Sequence, residues 1–145
     1  MKFKLLSDGP IRSYAVIFQT GDEAMSGLLE FAHAAGIGAA QITAIGACER
    51  LTLAYFDWES KSYQAFEVEE QVEVLSFIGD ITLKGDDRQV HVHCVASRRD
   101  GSTLGGHVME ARVRPTLEVF VNEPQGRLQR SEDTESTLHL IDPDL

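Results

Sequence analysis

The stretch HVHCVASRRDGSTLGGH, residues 91–107, contains three of the five histidines of the chain and decides both its fold and its chemistry. Its composition predicts a strand, a turn and a returning strand. Because side chains alternate between the two faces of a strand, His91 and His93 lie on one face with about 7 Å between their Cα atoms. Two imidazoles at that spacing can bind one metal ion. His107, on the returning strand, is the nearest candidate for a third ligand.

The length of the turn decides whether His107 joins the other two histidines, because directly opposed residues of an antiparallel pair share a face. A two-residue turn at Asp100-Gly101 sets His107 opposite Cys94, on the wrong face. A three-residue loop, with Gly101 in the left-handed conformation, sets His107 opposite His93 and brings the three imidazoles together. Both registers are open from the sequence alone.

Three imidazoles leave one position of a tetrahedral Zn²⁺ free for water or substrate, which is the pattern of catalytic zinc sites. Imidazole also binds copper, iron and nickel, so we expect zinc or another divalent transition metal. The alternative interpretation is that the three histidines are unrelated. Cys94 shares a face with Val90 and Val92, which favours core packing over a role as a fourth ligand.

Length and composition indicate one domain over residues 1–145, because 145 residues of which 43% are hydrophobic suit a single core. The polar composition from about residue 123 predicts a loosely packed tail. Two cysteines without a CxxC pattern, and an N-terminus without a long apolar run, favour a cytoplasmic location. No segment approaches the roughly 20 apolar residues of a membrane span.

The formal net charge of -10 disfavours binding to nucleic acids, which depends on Lys and Arg to neutralise phosphates. A local basic patch is the alternative, because several arginines fall in the C-terminal part of the chain. Ion pairing and solvation are the favoured interpretation of these arginines. They are Arg98, Arg99, Arg112, Arg114, Arg127 and Arg130.

Strand-forming patterns dominate the chain, and only one helix is clear. The helix is predicted to begin at a cap formed by Thr20 or Asp22 and to end at Gly36. The fold class that follows is α+β around a largely antiparallel sheet. The predicted strands outside the histidine hairpin are 12–19, 40–46, 51–57, 62–68, 72–81 and 116–121, with a last short strand at 138–141.

An ordered set of short motifs covers nearly the whole chain. The motifs are Ile45-Gly46-Ala47, Tyr55-Phe56-Asp57, EVLSFIGDI at 73–81, the His91/His93 pair, GSTLGGHV at 101–108, and Thr116-Leu117-Glu118-Val119. Together they resemble the Plants and Prokaryotes Conserved (PPC) domain, a family also labelled as having a PD1-like DNA-binding motif. The resemblance implies a sheet flanked by helices, a homotrimer, and a divalent metal on His91, His93 and His107.

The DNA-binding label of the family receives little support from this chain. Plant members carry Arg-Gly-Arg-Pro hooks that enter the minor groove, and no such segment occurs here. The fold also resembles that of acetolactate decarboxylase, in which similar histidines hold a catalytic zinc. A shared fold does not by itself establish a shared reaction.

Two functions follow as expectations. The first is a metal-dependent lyase or hydrolase acting on a small oxygenated molecule. Glu118 is its candidate general base or orienting residue. The alternative interpretation is that Glu118 is an exposed carboxylate opposing a cation. The second is a non-enzymatic trimeric scaffold, or a DNA-binding regulatory module, with a structural metal. An open coordination position favours the enzyme and a closed one the module. Weaker candidates for the catalytic carboxylate are Glu49, Asp57 and Asp80.

Overall fold

The computed structural model describes residues 1–145 as one β-rich fold with a single helix. This confirms the largely antiparallel sheet. The expected flanking helices are borne out only in part, because the chain forms a single helix. The elements are β1 (Lys2–Asp8), β2 (Ile11–Gln19), α1 (Ala24–Ala35), β3 (Ala40–Asp57), β4 (Ser62–Val68), β5 (Val72–Lys84), β6 (Asp87–Ser97), β7 (Thr103–Pro124), β8 (Gln129–Glu132) and β9 (His139–Asp142).

The strands form a nine-stranded sheet that is antiparallel except where β8 runs parallel to β5. β3 and β7 are its longest strands and pair along most of their length. β5 pairs with β3 and β6, and β6 pairs in turn with β7. The four strands β3, β5, β6 and β7 therefore close into a ring of hydrogen-bonded neighbours. The last short strand expected from the sequence is β9.

β3 is one continuous strand, where the sequence predicted two strands with a break at residues 47–50. Its register against β7 shifts at several points, and these bulges absorb the irregular segment without ending the strand. Gly46 makes the first shift possible, because a Cβ on Gly46 would lie 2.3 Å from the carbonyl oxygen of Thr116. Only glycine allows the two backbones to approach so closely.

The N-cap of the helix lies one residue after Asp22 and three residues after Thr20. Glu23, rather than Thr20 or Asp22, is the N-cap, and its carboxylate accepts hydrogen bonds from the backbone N–H groups of Met25 and Ser26. Asp22 binds the N-terminal amine instead, at 2.7 Å. The predicted end of the helix is confirmed, since Gly36 caps it in the left-handed conformation. No helix has the length and apolarity needed to cross a bilayer.

The core lies between α1 and one face of the sheet. Phe31 of the helix contacts the ring of Tyr14 on β2 edge to face, with 5.2 Å between ring centroids. Phe18 and Val119, which point to the same side, are fully buried. The opposite side of the sheet, which we call the outer face, has no helix over it.

One cross-strand row of the outer face runs from β7 through β3, β5 and β6 and back to the start of β7. Its members in that order are Phe120, Thr43, Ile78, His93 and His107. Half of the surface of Phe120 and of Ile78 is exposed, at 50% and 54%. The histidines therefore lie on a sheet face whose apolar side chains are not covered.

Candidate metal centre

The turn between β6 and β7 has the three-residue register. The N–H of Arg98 donates to the carbonyl of Ser102 at 2.9 Å, and the N–H of Gly101 donates to the carbonyl of Arg98 at 3.0 Å. Gly101 has a φ of +82°, as the three-residue loop requires. His107 consequently pairs with His93. The two-residue alternative is excluded.

This register brings the three histidines together. Their ligand-capable nitrogens all lie within 4.8 Å of one another. The Nε2 atoms of His91 and His93 are 3.2 Å apart, and the ring centroids of the three imidazoles are separated by 5.0 to 5.3 Å. No aspartate, glutamate or cysteine joins this cluster. The arrangement offers three nitrogen ligands, and a divalent ion held by them would have further positions for water or substrate.

His107 is the most enclosed of the three imidazoles. The ring of Tyr63, on β4, stacks on it with 4.5 Å between centroids and 27° between planes. The Nδ1 atom of His107 is buried and has no hydrogen-bond partner in the protein. Buried polar atoms without a protein partner are rare, and they occur where an ion or an ordered water completes the site. The residues present therefore fit a divalent metal.

The electrostatic environment favours the neutral forms of His107 and His93. Burial, and then the charges of His91 and His93, lower the pKa of His107 from 6.5 to about 4. Burial, followed by the neighbouring His91, also lowers the pKa of His93 below 6.5. Neutral imidazole is the form that binds metals, so protons compete weakly for these nitrogens.

Asp80, a weaker candidate in the sequence, supports the cluster directly. It pairs across strands with His91, and its Oδ2 lies 3.4 Å from Nδ1 of His91. Burial raises the pKa of Asp80, but hydrogen bonds from His91 and Arg130 outweigh it and leave the pKa below 3.8. The sequence does contain the signal for this contact. A two-residue turn at Gly85-Asp86 pairs Lys84 with Asp87 and thereby sets Asp80 opposite His91.

Glu118 lies elsewhere on the outer face. It is exposed, pairs with Ile45 of β3, and lines a shallow cleft with Ile78 and Phe120. Phe120 is three strand spacings from His93, which is about 14 Å along the sheet. Glu118, two residues from Phe120 on the same face, is thus not brought beside the histidines within one chain.

The other carboxylate candidates have local partners. Glu49 lies 3.5 Å from a guanidinium nitrogen of Arg114. Asp57 accepts a hydrogen bond from the backbone N–H of Ser60 at 2.7 Å, and this contact holds its pKa below the usual range. Neither belongs to the histidine cluster.

Cys94 packs in the core, as the sequence indicates. It is 4% exposed on the face opposite the histidines, and burial raises the pKa of its thiol to about 11.

Gly105 and Gly106 lie in β7, just before His107, where the neighbouring strands come close. A Cβ on Gly105 would lie 2.6 Å from the carbonyl oxygen of Cys94, and one on Gly106 would lie 2.9 Å from that of Ala54. The two glycines thus allow the close strand packing that sets His107 in place.

Four of the six C-terminal arginines form ion pairs and do not make a free basic patch. The pairs are Arg98 with Glu70, Arg112 with Glu110, Arg114 with Glu49, and Arg130 with Asp80. This supports the interpretation of these arginines as ion-pair partners on an acidic protein.

Comparison with known families identifies the fold. The model of the Plants and Prokaryotes Conserved (PCC) domain, the family that the sequence motifs resemble, matches residues 6–125. The chain belongs to this family. The match ends near the C-terminus of β7, so β8 and β9 lie outside it. Among curated proteins, none matches the chain.

Two solved structures are similar over almost the full length of the chain. One is a candidate DNA-binding protein from Bacteroides thetaiotaomicron, with 25% identity, 99% of each chain covered and a TM-score of 0.89. The other is a metal-containing protein from Archaeoglobus fulgidus, with 30% identity, 97% of this chain and 96% of that chain covered, and a TM-score of 0.84.

The likeness to acetolactate decarboxylase is confirmed for the fold alone. The enzyme from Bacillus subtilis is 13% identical, with a TM-score of 0.57, over 90% of this chain and 61% of the enzyme. The common fold does not carry the reaction to this chain.

Proposed function

We propose that this PCC-domain protein binds one divalent transition metal, with zinc as the first candidate, through His91, His93 and His107. The observation that carries the proposal is the convergence of one nitrogen from each of the three imidazoles within 4.8 Å. His107 also has a buried Nδ1 atom without a protein partner. The metal-containing protein from Archaeoglobus fulgidus, 30% identical, supports it. The proposal includes a single domain over residues 1–145.

The chemistry that fits this donor set is that of a lyase or hydrolase acting on a small oxygenated molecule. A divalent metal with an open position polarises a carbonyl or activates water when it is bound. The three histidines hold the ion, Asp80 orients His91, and the ring of Tyr63 shields one face of His107 from water. The role of Glu118 as general base stays a prediction.

Metal analysis of purified variants tests the proposal. Wild-type protein should contain about one metal ion per chain, and His93→Ala should contain almost none. The matched control is His33→Ala, which removes a histidine of the helix whose ring lies near Arg88 instead of the cluster. Equal metal content in wild type and His93→Ala contradicts the proposal.

A second candidate function is a non-enzymatic trimeric module. The uncovered apolar side chains of the outer face favour it, because large exposed apolar patches mark interaction surfaces. Ile45, Ile78 and Phe120 are 62%, 54% and 50% exposed. Sedimentation should give a mass of about 48 kDa, three times the 16.0 kDa of one chain. A mass of 16.0 kDa at micromolar concentration contradicts the trimer.

The coordination of the metal separates the two functions. In Co²⁺-substituted protein, an added anion such as azide should change the visible spectrum if one position is open to exchange. This result supports the enzyme. A spectrum that does not respond to any small anion indicates a closed coordination shell and supports the module.

A further inference from the structure

A nearly buried arginine contacts Asp80, the carboxylate beside His91. This arginine lies outside residues 6–125, the part of the chain that the family model matches. Arg130 lies on β8, and its side chain is only 9% exposed. Its Nε donates to Oγ1 of Thr82 at 2.7 Å, its Nη1 to the carbonyl of His139 at 2.8 Å, and its Nη2 to Oδ1 of Asp80 at 2.7 Å. All three guanidinium nitrogens are therefore engaged. A charge this buried is retained only where its partners are fixed.

These contacts fix one oxygen of Asp80 and leave the other for the histidine. Oδ1 of Asp80 accepts from Arg130 and also from the hydroxyl of Thr82, at 3.3 Å. Oδ2 is then directed at Nδ1 of His91, 3.4 Å away. An ionised carboxylate only accepts hydrogen bonds, so this contact favours the tautomer of His91 that carries the proton on Nδ1.

The proton on Nδ1 decides which nitrogen of His91 can bind an ion. With Nδ1 protonated, Nε2 has the free lone pair, and Nε2 is the atom that lies 3.2 Å from Nε2 of His93. A carboxylate that binds the second nitrogen of a metal-ligating histidine fixes both the tautomer and the ring orientation. Asp80 is 25% exposed and would be free to turn toward water without Arg130.

We propose that Arg130 is a positioning residue for the metal centre: it holds Asp80 in place, and Asp80 holds His91 with Nε2 directed at the cluster. The inference rests on the metal site proposed above and extends it. It gives the β8–β9 segment, which lies outside the family match, a role in metal binding. β8 is well placed for that role, because the N–H of Leu83 on β5 donates to the carbonyl of Leu128 at 2.9 Å.

The size of the effect follows from the nature of the contact. Loss of a partner one step beyond the ligands lowers metal affinity by about 10-fold to 100-fold. Asp80 is such a partner, and Arg130 acts through it. Arg130→Gln removes the charge and the forked donor, so it should lower zinc affinity by up to the same factor. Arg130→Lys keeps the charge but offers a single donor group, and should recover part of the loss.

The experiment measures two properties of each variant. Zinc affinity is determined by competition with a coloured chelator, and the tautomer of His91 is determined by long-range nitrogen NMR on metal-free protein. The matched control is Arg127→Gln on the neighbouring, exposed stretch. We expect Arg130→Gln to bind zinc more weakly and to lose the Nδ1–H preference of His91, and Arg127→Gln to match wild type. A folded Arg130→Gln with wild-type affinity and tautomer overturns the inference.

The tautomer keeps this test separate from the metal proposal. If wild type binds no zinc, the proposed function fails, while the tautomer in metal-free protein still supports or overturns the role of Arg130.

If Arg130→Gln does not fold, Asp80→Asn replaces it. Arg130 requires an oxygen acceptor, so the amide nitrogen of the new side chain must face His91 and reverse its tautomer. An unchanged tautomer in Asp80→Asn overturns the inference.

Discussion

Replacement of Tyr63 by alanine should raise the pKa of His107 in metal-free protein by about one pH unit. Burial, followed by the charges of His91 and His93, lowers this pKa from 6.5 to about 4. The Tyr63 ring covers one face of the imidazole. Removal of this ring should therefore cancel roughly half of the decrease in pKa that burial causes, while His91 and His93 continue to lower the pKa.

The same variant should change the pH dependence of stability. The folded pKa of His107 is below that of an unfolded histidine, near 6.5, so the unfolded chain takes up the proton first as the pH falls. His107 thus has its full stabilising effect above about pH 6.5, and that effect is lost as the pH falls toward 4. Tyr63→Ala should make this pH-dependent loss of unfolding free energy smaller by at most about 1.4 kcal/mol, the equivalent of one pKa unit. Solvent screening at the half-buried site makes the difference smaller still.

The assay is an NMR titration of the imidazole protons, combined with chemical denaturation between pH 4 and 7. Tyr63→Phe is the matched control, because it keeps the stacked ring and should titrate as wild type does. The reasoning is refuted if the pKa of His107 does not move in Tyr63→Ala, or if it moves equally in Tyr63→Phe.

Three further predictions concern the hairpin, the helix and the surface charge. Gly105→Ala places a methyl group 2.6 Å from the carbonyl oxygen of Cys94, and thermal unfolding should show a destabilisation of about 1–3 kcal/mol. The control Gly9→Ala, where no atom lies closer than 3.7 Å, should leave the stability unchanged. Glu23→Ala removes the acceptor of three backbone N–H groups and should lower the free energy of unfolding by about 2 kcal/mol. A decrease below about 0.5 kcal/mol contradicts the role of Glu23 as the helix cap. Fluorescence titration with duplex DNA at about 0.15 M salt should give dissociation constants no tighter than about 10⁻⁶ M, and nanomolar binding that weakens on Arg98→Ala contradicts this.

The histidine hairpin was the part of the fold most accessible from the sequence. The sequence shows two alternating histidines, a glycine suited to the left-handed position and a third histidine on the returning strand. Together they define the geometry of the cluster, and only the length of the loop remains to be determined. The continuity of β3 and of β7 could not be predicted, because bulges depend on which backbones meet across the sheet. β1 was missed, because the alternation of Lys2-Phe3-Lys4-Leu5 is short and breaks at Leu6.

The surroundings of the histidines were less accessible. Asp80 opposite His91 follows from a turn that the sequence does show, as the pairing of β5 and β6 makes clear. The contact of Tyr63 with His107 depends on a bulge in β3 and on the addition of β4 beyond it. Arg130 reaches Asp80 through a parallel contact between distant strands, for which a single sequence has no local pattern.

Anomalous diffraction at the zinc absorption edge, from crystals grown with zinc, tests the central claim most directly. A single strong peak should lie about 2.0–2.1 Å from one nitrogen of each of His91, His93 and His107. A peak that contacts fewer than three of these imidazoles, or the absence of a peak at the cluster, contradicts the account.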